Sequence, residues 1–220
     1  MTSGTVPGTA TLIVTVERRG GSLMRVLGVD PGLRTTGYGV VDAVGGTFRL
    51  IEGGVLRPKA TLSLEARLAQ LHAAMLDVVR ATRPDCMVVE ELWSAPKHPL
   101  TGVLMGHARG VIALAAGLCE VTFEELSHVT VKRALTGNGA ARKDQVKAMV
   151  CVQLGLAVAP EPDDVSDALA LALVFAMRGP ANVLMERAPS TRAQLPEFLR
   201  ARTGGPTQRV GGAQARPERL

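Results

Sequence analysis

Apolar and polar positions follow two rhythms along this chain. Residues 26–29 are apolar or Gly without interruption, and the run stops at Asp30. That pattern predicts a buried central strand with a carboxylate at its end. Asp30-Pro31-Gly32 then predicts a tight turn. Gly37–Val41 and Thr47–Leu56 predict two more strands, joined at Gly45-Gly46, so that the first three strands form an antiparallel meander. Helical spacing takes over at 63–80, where Leu64, Leu68, Leu71, Met75, Val78 and Val79 fall on one stripe and Ser63 is the expected cap. Arg83-Pro84-Asp85 breaks that helix. Cys86–Glu90 predicts a short buried strand, again closed by a carboxylate. A helix over 97–117, a strand over Val121–Leu126 and a short helix over 128–136 follow, the last ended by Gly137-Asn138-Gly139. A helix over 141–154 precedes Pro160-Glu161-Pro162. The final helix, 164–178, is so rich in Ala and Leu that much of its surface must be buried. Three strands, a helix, a strand, a helix, a strand and then helices make an α/β fold with a mixed five-stranded sheet flanked by helices. No internal repeat interrupts this order.

Composition bounds the class. At 220 residues and 46% hydrophobic, the chain holds one domain of ordinary size plus tails. The expected division is an extension over 1–23, a single folded domain over 24–180 and a flexible basic tail over 181–220, where Pro, Arg and Gly dominate. Met24 directly precedes the first strand and is an expected alternative start. Glu17-Arg-Arg-Gly-Gly21 resembles a translated purine-rich ribosome-binding site, so 1–23 is expected to be an extension that is either disordered or not native. No apolar run reaches the roughly 18 residues of a membrane span. Arg18-Arg19 follow the short N-terminal apolar stretch instead of preceding it, an order wrong for export. Cys86, Cys119 and Cys151 are scattered through apolar segments, which argues for a reducing cytoplasm and against zinc or a disulfide framework. The net charge is +5, of which +4 falls on 181–220 and +1 on 1–23, leaving a neutral body. Nucleic-acid binding therefore needs a local patch and cannot rest on overall charge.

Candidate chemistry lies in four acids: Asp30, Glu90, Asp164 and Asp167. The first two end apolar strands, and they come close if those strands are neighbours. Asp164 and Asp167 are three apart at a helix start, so they share a face. Helix capping is the competing role for Asp163 and Asp164. Asp167 begins a long apolar run, where a lone buried carboxylate costs several kcal/mol unless it is paired or binds a metal. No cation stands near it in sequence. Four converging carboxylates call for a hard divalent ion, and all-oxygen ligands favour Mg2+ or Mn2+. Two such ions about 4 Å apart suit in-line phosphodiester hydrolysis. Lys132, Arg142, Lys143 and Lys147, with Arg133, form a basic patch around the Gly137-Asn138-Gly139 loop that suits phosphate contacts. An ordinary solvated helix face explains the same charges. Trp93, three residues past Glu90, is placed either in the core or against an unpaired base. Gly102, Gly106 and Gly110 recur every four residues on one helix face. They point to close packing against a second helix or against the protein's own sheet.

Taken together and in this order, several segments resemble the RuvC family, the bacterial Holliday-junction resolvases. They are Gly28-Val-Asp30-Pro-Gly-Leu-Arg-Thr-Thr-Gly-Tyr-Gly39, Val89-Glu90-Glu-Leu-Trp93, Gly106-His-Ala-Arg-Gly110, Val131-Lys132, Gly137-Asn-Gly-Ala-Ala-Arg-Lys143 and Asp164-Val-Ser-Asp167-Ala-Leu-Ala. The resemblance covers about residues 24–180. It implies an RNase H-like fold and a homodimer that binds a four-way DNA junction. Each subunit nicks one of two strands of like polarity and leaves a 5′-phosphate end. By position, the resemblance makes Asp30, Glu90, Asp164 and Asp167 the metal-binding acids, Lys132 and Lys143 DNA contacts, and Gly106 and Gly110 part of the helix that pairs the subunits. Trp93 matches an aromatic, commonly Phe, that stacks near the cleavage point. Some members carry His where Asp164 stands. A RuvA–RuvB branch-migration complex is the implied partner. Residues 1–23 and 181–220 have no counterpart in the family.

Two other readings stay open on the residues alone. Asp30-Pro-Gly32 followed by a Thr-x-Gly resembles the first phosphate loop of actin-like ATPases, but that fold needs two domains and a second nucleotide loop. A junction-binding protein without catalysis is the other, and cleavage of a synthetic junction separates it from a nuclease.

Overall fold

The structure, a computed structural model, describes residues 23–91 and 99–178. Trp93, the N-terminal extension and the basic tail lie outside the described residues. Ten elements follow one another: β1 (Met24–Asp30), β2 (Thr36–Val44), β3 (Thr47–Leu56), α1 (Leu64–Thr82), β4 (Cys86–Glu90), α2 (Pro99–Leu118), β5 (Thr122–Leu126), α3 (His128–Thr136), α4 (Lys143–Leu154) and α5 (Asp163–Met177). The sheet order is β3-β2-β1-β4-β5. β1 to β3 form the expected antiparallel meander, and β1, β4 and β5 run parallel.

Alternation along the central strands divides the core in two. Val26, Val41 and Val88 face α5, where Leu169 and Leu173 are fully buried. Leu27, Val29, Val40, Met87 and Val89 face α1 and α2, meeting Met75, Ile112 and Ala115. Helix α5 is buried from Ala168 through Ala176, as its composition demands. It comes unusually near the sheet because β1 and β2 carry glycines beneath it. A Cβ on Gly28 would run into the backbone oxygen of Ala168 and stand 2.8 Å from the nitrogen of Ala172. A Cβ on Gly37 would collide with the backbone of Asp164.

Local details differ from the expectations. Ser63 stands at the cap of α1, but its hydroxyl bonds the Glu65 carboxylate and not the helix backbone. α4 begins at Lys143, with Arg142 at its cap, because Ala141 is drawn into the core. Pro162 occupies the cap of α5, so Asp163 and Asp164 stand in its first turn and capping is not their role. Residues Leu100–Leu118 of α2 reach the length and mean hydropathy (1.3) of a membrane span, which the run-based reading did not anticipate. Here Ala108, Ile112, Ala115 and Ala116 of that helix are buried within the domain. At the end of the sheet away from Asp30, Asp42 is buried and takes two bonds of 2.7 and 2.8 Å from the Arg25 guanidinium. That bidentate pair shows how this fold satisfies an acid whose role is structural.

Candidate active site

β1 and β4 are parallel neighbours, with Val29 opposite Val89. Their terminal residues, Asp30 and Glu90, therefore leave the same edge of the sheet side by side. α5 crosses above that edge, and the close approach at Gly37 brings the Asp164 backbone down onto β2. Asp167, one turn later, faces the same edge. The fold thus gathers acids from two strand ends and one helix start.

Electrostatics record the gathering. The Asp30 carboxyl is pushed up from an ordinary 3.8 to about 7, first by burial and then by the negative charges of Glu90, Asp167 and Asp164. Glu90 is also raised by burial. His128 partly offsets that shift, and Asp167 adds to it. Both shifts mark carboxylates held together without enough positive charge. The contrast with Asp42 and its bidentate arginine is direct.

Asp167 departs from the sequence reading. Its side chain is 32% exposed, and the Nζ of Lys143 lies 2.8 Å from its Oδ2, so it is neither fully buried nor alone. The cation comes from the start of α4, which tertiary packing places beside α5. Lys143 also lies 3.2 Å from Asp163. Lys147 pairs with Asp163 as well, and Arg142 with Asp144. Of the expected basic patch, Lys132 and Lys143 line one 240 Å³ cavity together with Glu90 and Asp167. A second, open cavity of 620 Å³ is edged by Asp30, Asp164, Arg34 and Arg67. The four acids thus line two cavities in pairs, Glu90 with Asp167 and Asp30 with Asp164.

A divalent ion fits the donor set, which is all carboxylate and short of cations. Among the described residues no three Asp, Glu, His or Cys side chains already stand as closely as metal ligands do. The ammonium of Lys143 holds Asp167 instead.

Sequence reasoning missed two residues. The ring of His128 has its Nδ1 3.6 Å from the Glu90 carboxylate. Its signal was the spacing of four to Lys132 on the same helix. Arg109 donates to the main-chain oxygen of Glu90. No local pattern pointed to that bond. Gly106 and Gly110 are exposed, and a Cβ on either would meet nothing within 4 Å, so they do not pack on the protein's own sheet. Gly102 lies two turns ahead of Gly110 on α2 and is partly buried.

A family model described as crossover junction endodeoxyribonuclease RuvC matches residues 26–175. The enzyme of that name from Rhodopirellula baltica is 43% identical over 158 residues, covering 72% of this chain and 89% of the relative. Thermus thermophilus RuvC, solved in complex with a Holliday junction substrate, superposes with a TM-score of 0.68 at 34% identity, covering 72% of this chain and 96% of the other. The yeast mitochondrial Holliday junction resolvase Ydc2 shares the fold, with a TM-score of 0.53 at 16% identity and coverage of 74% of this chain and 82% of the other.

Proposed function

The chain belongs to the RuvC family of crossover junction endodeoxyribonucleases, and from that premise we propose a residue-level account of how it resolves four-way DNA junctions. It is a phosphodiester hydrolase on an RNase H-like mixed sheet, and the family is divalent-metal dependent. Asp30, Glu90, Asp164 and Asp167 hold the metal, as two Mg2+ or Mn2+ ions per subunit. When bound, the ions supply an activated water and stabilise the leaving oxygen. Everything else falls to the chain's own side chains. The two strand-end carboxylates are rigid because β1 and β4 are buried on both faces. Asp164 and Asp167 are held above them by the glycine-permitted seat of α5. Lys132, Lys143, Lys147 and Arg142 face incoming phosphates and position the strand without reading its sequence. Lys143 has an added task, since its ammonium is the counter-charge of Asp167 until other cations arrive. Trp93, beyond the end of β4, stacks on an unpaired base near the cut. Two subunits pair through the open face of α2 at Gly102, Gly106 and Gly110. Each then nicks one of two strands of like polarity and leaves a 5′-phosphate end. Residues 24–180 act as the nuclease domain, and RuvA–RuvB is the partner complex in the cytoplasm.

The observation that carries this account is geometric: β1 and β4 are parallel neighbours that end at Asp30 and Glu90, and the start of α5 is seated on Gly37 of β2 beside them, an arrangement that also raises the proton affinity of Asp30. Its test is Asp30→Asn. The variant is expected to bind a synthetic four-way junction as wild type does and to lose cleavage with either metal. Cleavage by that variant at a wild-type rate would remove Asp30 from the site.

A further inference from the structure

Helix α2 does more than offer a face to a second subunit. On its inner side Ala108, Ile112, Ala115 and Ala116 are buried. From the same side Arg109 reaches the ends of β4 and β5. One guanidinium nitrogen donates to the main-chain oxygen of Glu90 and the other to the carboxylate of Glu125. The guanidinium carbon lies 5.8 Å from the centroid of the Phe123 ring. The Arg109 side chain is only 13% exposed, while that of Glu125 is 47% exposed. An ion pair on so open a carboxylate contributes little. The bond to the partly buried Glu90 carbonyl is the contact whose loss leaves a polar group unmet.

Placement gives that bond its meaning. Glu90 is the last residue of β4, and its register with β1 stops one residue earlier, at Val29 opposite Val89. On the β5 side the ladder runs one residue further, to Glu90 opposite Leu126, with the Glu91 amide donating to the Leu126 carbonyl at 3.0 Å. The peptide that carries the Glu90 side chain is thus at the limit of sheet support. Arg109 supplies a further anchor from a different element. A planar fork that meets a carbonyl, a carboxylate and a ring face together fixes orientation in a way a lysine does not.

We infer that Arg109 is a positioning residue for the nuclease reaction: by holding the Glu90 carbonyl it sets how the Glu90 carboxylate enters the acid cluster. The seating of α2, and not β4 alone, then governs that carboxylate. This rests on the reading of Glu90 as one of the metal-holding acids.

The test uses full-length Arg109→Gln, Arg109→Lys, Glu125→Gln and Glu90→Gln proteins. Each is checked by thermal melting, titrated calorimetrically with Mn2+ alone and assayed on a synthetic junction. Arg109→Gln is expected to bind Mn2+ about 10- to 100-fold more weakly and to lose kcat by a similar factor. Its KM and its metal-free junction affinity stay at wild-type values, a split that loss of folded protein does not produce. Arg109→Lys recovers part of the loss, because an ammonium can still donate to the carbonyl. Glu125→Gln stays near wild type. Wild-type Mn2+ affinity and kcat in Arg109→Gln overturn the inference. So does an equal loss in Glu125→Gln, which makes the ion pair the working contact. If Arg109→Gln does not fold, Arg109→Lys is read in its place, and full wild-type Mn2+ affinity there overturns the inference. Glu90→Gln separates the two levels. If it keeps Mn2+ binding and cleavage, the reading of Glu90 itself fails. If it loses both while Arg109→Gln keeps both, only the positioning role fails.

Discussion

At the residue scale, Asp30 carries a cost that its proposed role as a metal-holding acid explains. A carboxyl raised from 3.8 to about 7 in the folded state keeps its proton where the unfolded chain has already released it. The stability this confers is complete below the unfolded value and is lost as pH rises through about 7. Metal-free protein is therefore expected to lose a few kcal/mol of unfolding free energy between about pH 5 and about pH 8. Asp30→Asn should lose much less, and added Mg2+ should restore wild type. Urea unfolding at both pH values, with chelator and with Mg2+, measures this; equal losses in both proteins would contradict it. The strand-end acids were legible in the sequence because each terminates an apolar run. The cations were not. Lys143 is far along the chain from Asp167, and Arg109 is far from Glu90, so no spacing rule joins either pair. His128 was half legible, through its place one helical turn before Lys132.

At the element scale, the fold was read well where one rhythm dominates. The five strands and five helices of the described residues stand close to where the pattern put them, most clearly β1, β4 and α1, which have an apolar run or stripe; β3 and β5 carry charged residues within them and are edge strands of the sheet. Ends were less legible: Ser63 occupies its expected cap position, whereas Arg142 and Pro162 sit at caps whose occupants only tertiary packing decides. The glycines of β1 and β2 were visible as letters but not as a seat for α5, which requires knowing that α5 lies above them. That seat is testable. Gly28→Ala places a methyl where the Ala168 oxygen stands, so α5 must lift. A destabilisation of about 1–3 kcal/mol is expected from such overpacking. Cleavage should fall further than folded fraction does, because Asp164 and Asp167 move with the helix. Chemical denaturation beside a junction-cleavage assay decides it, and a fall in activity that only tracks folded fraction would argue against the seat.

At the scale of the whole molecule, α2 leaves one side open. Val103 is 55% and Leu114 51% exposed, and Gly106 and Gly110 lie between them with free space outward. Carboxylates on that stripe cost a lone subunit little but repel across a two-fold contact. A Gly110→Glu, Leu114→Glu protein is expected to melt near wild type and to sediment as a monomer. It should bind junctions about 100-fold more weakly, because two linked half-sites become one. A dimer of unchanged affinity would relocate the interface. The order of the elements has one more consequence. The acids are drawn from β1, from β4 and from α5, the last described element, and α5 is also the layer that closes the sheet. Until that helix is translated, a chain emerging from the ribosome therefore lacks two of the four proposed metal-holding acids and the layer that covers one face of the sheet, so the proposed site is completed late in synthesis.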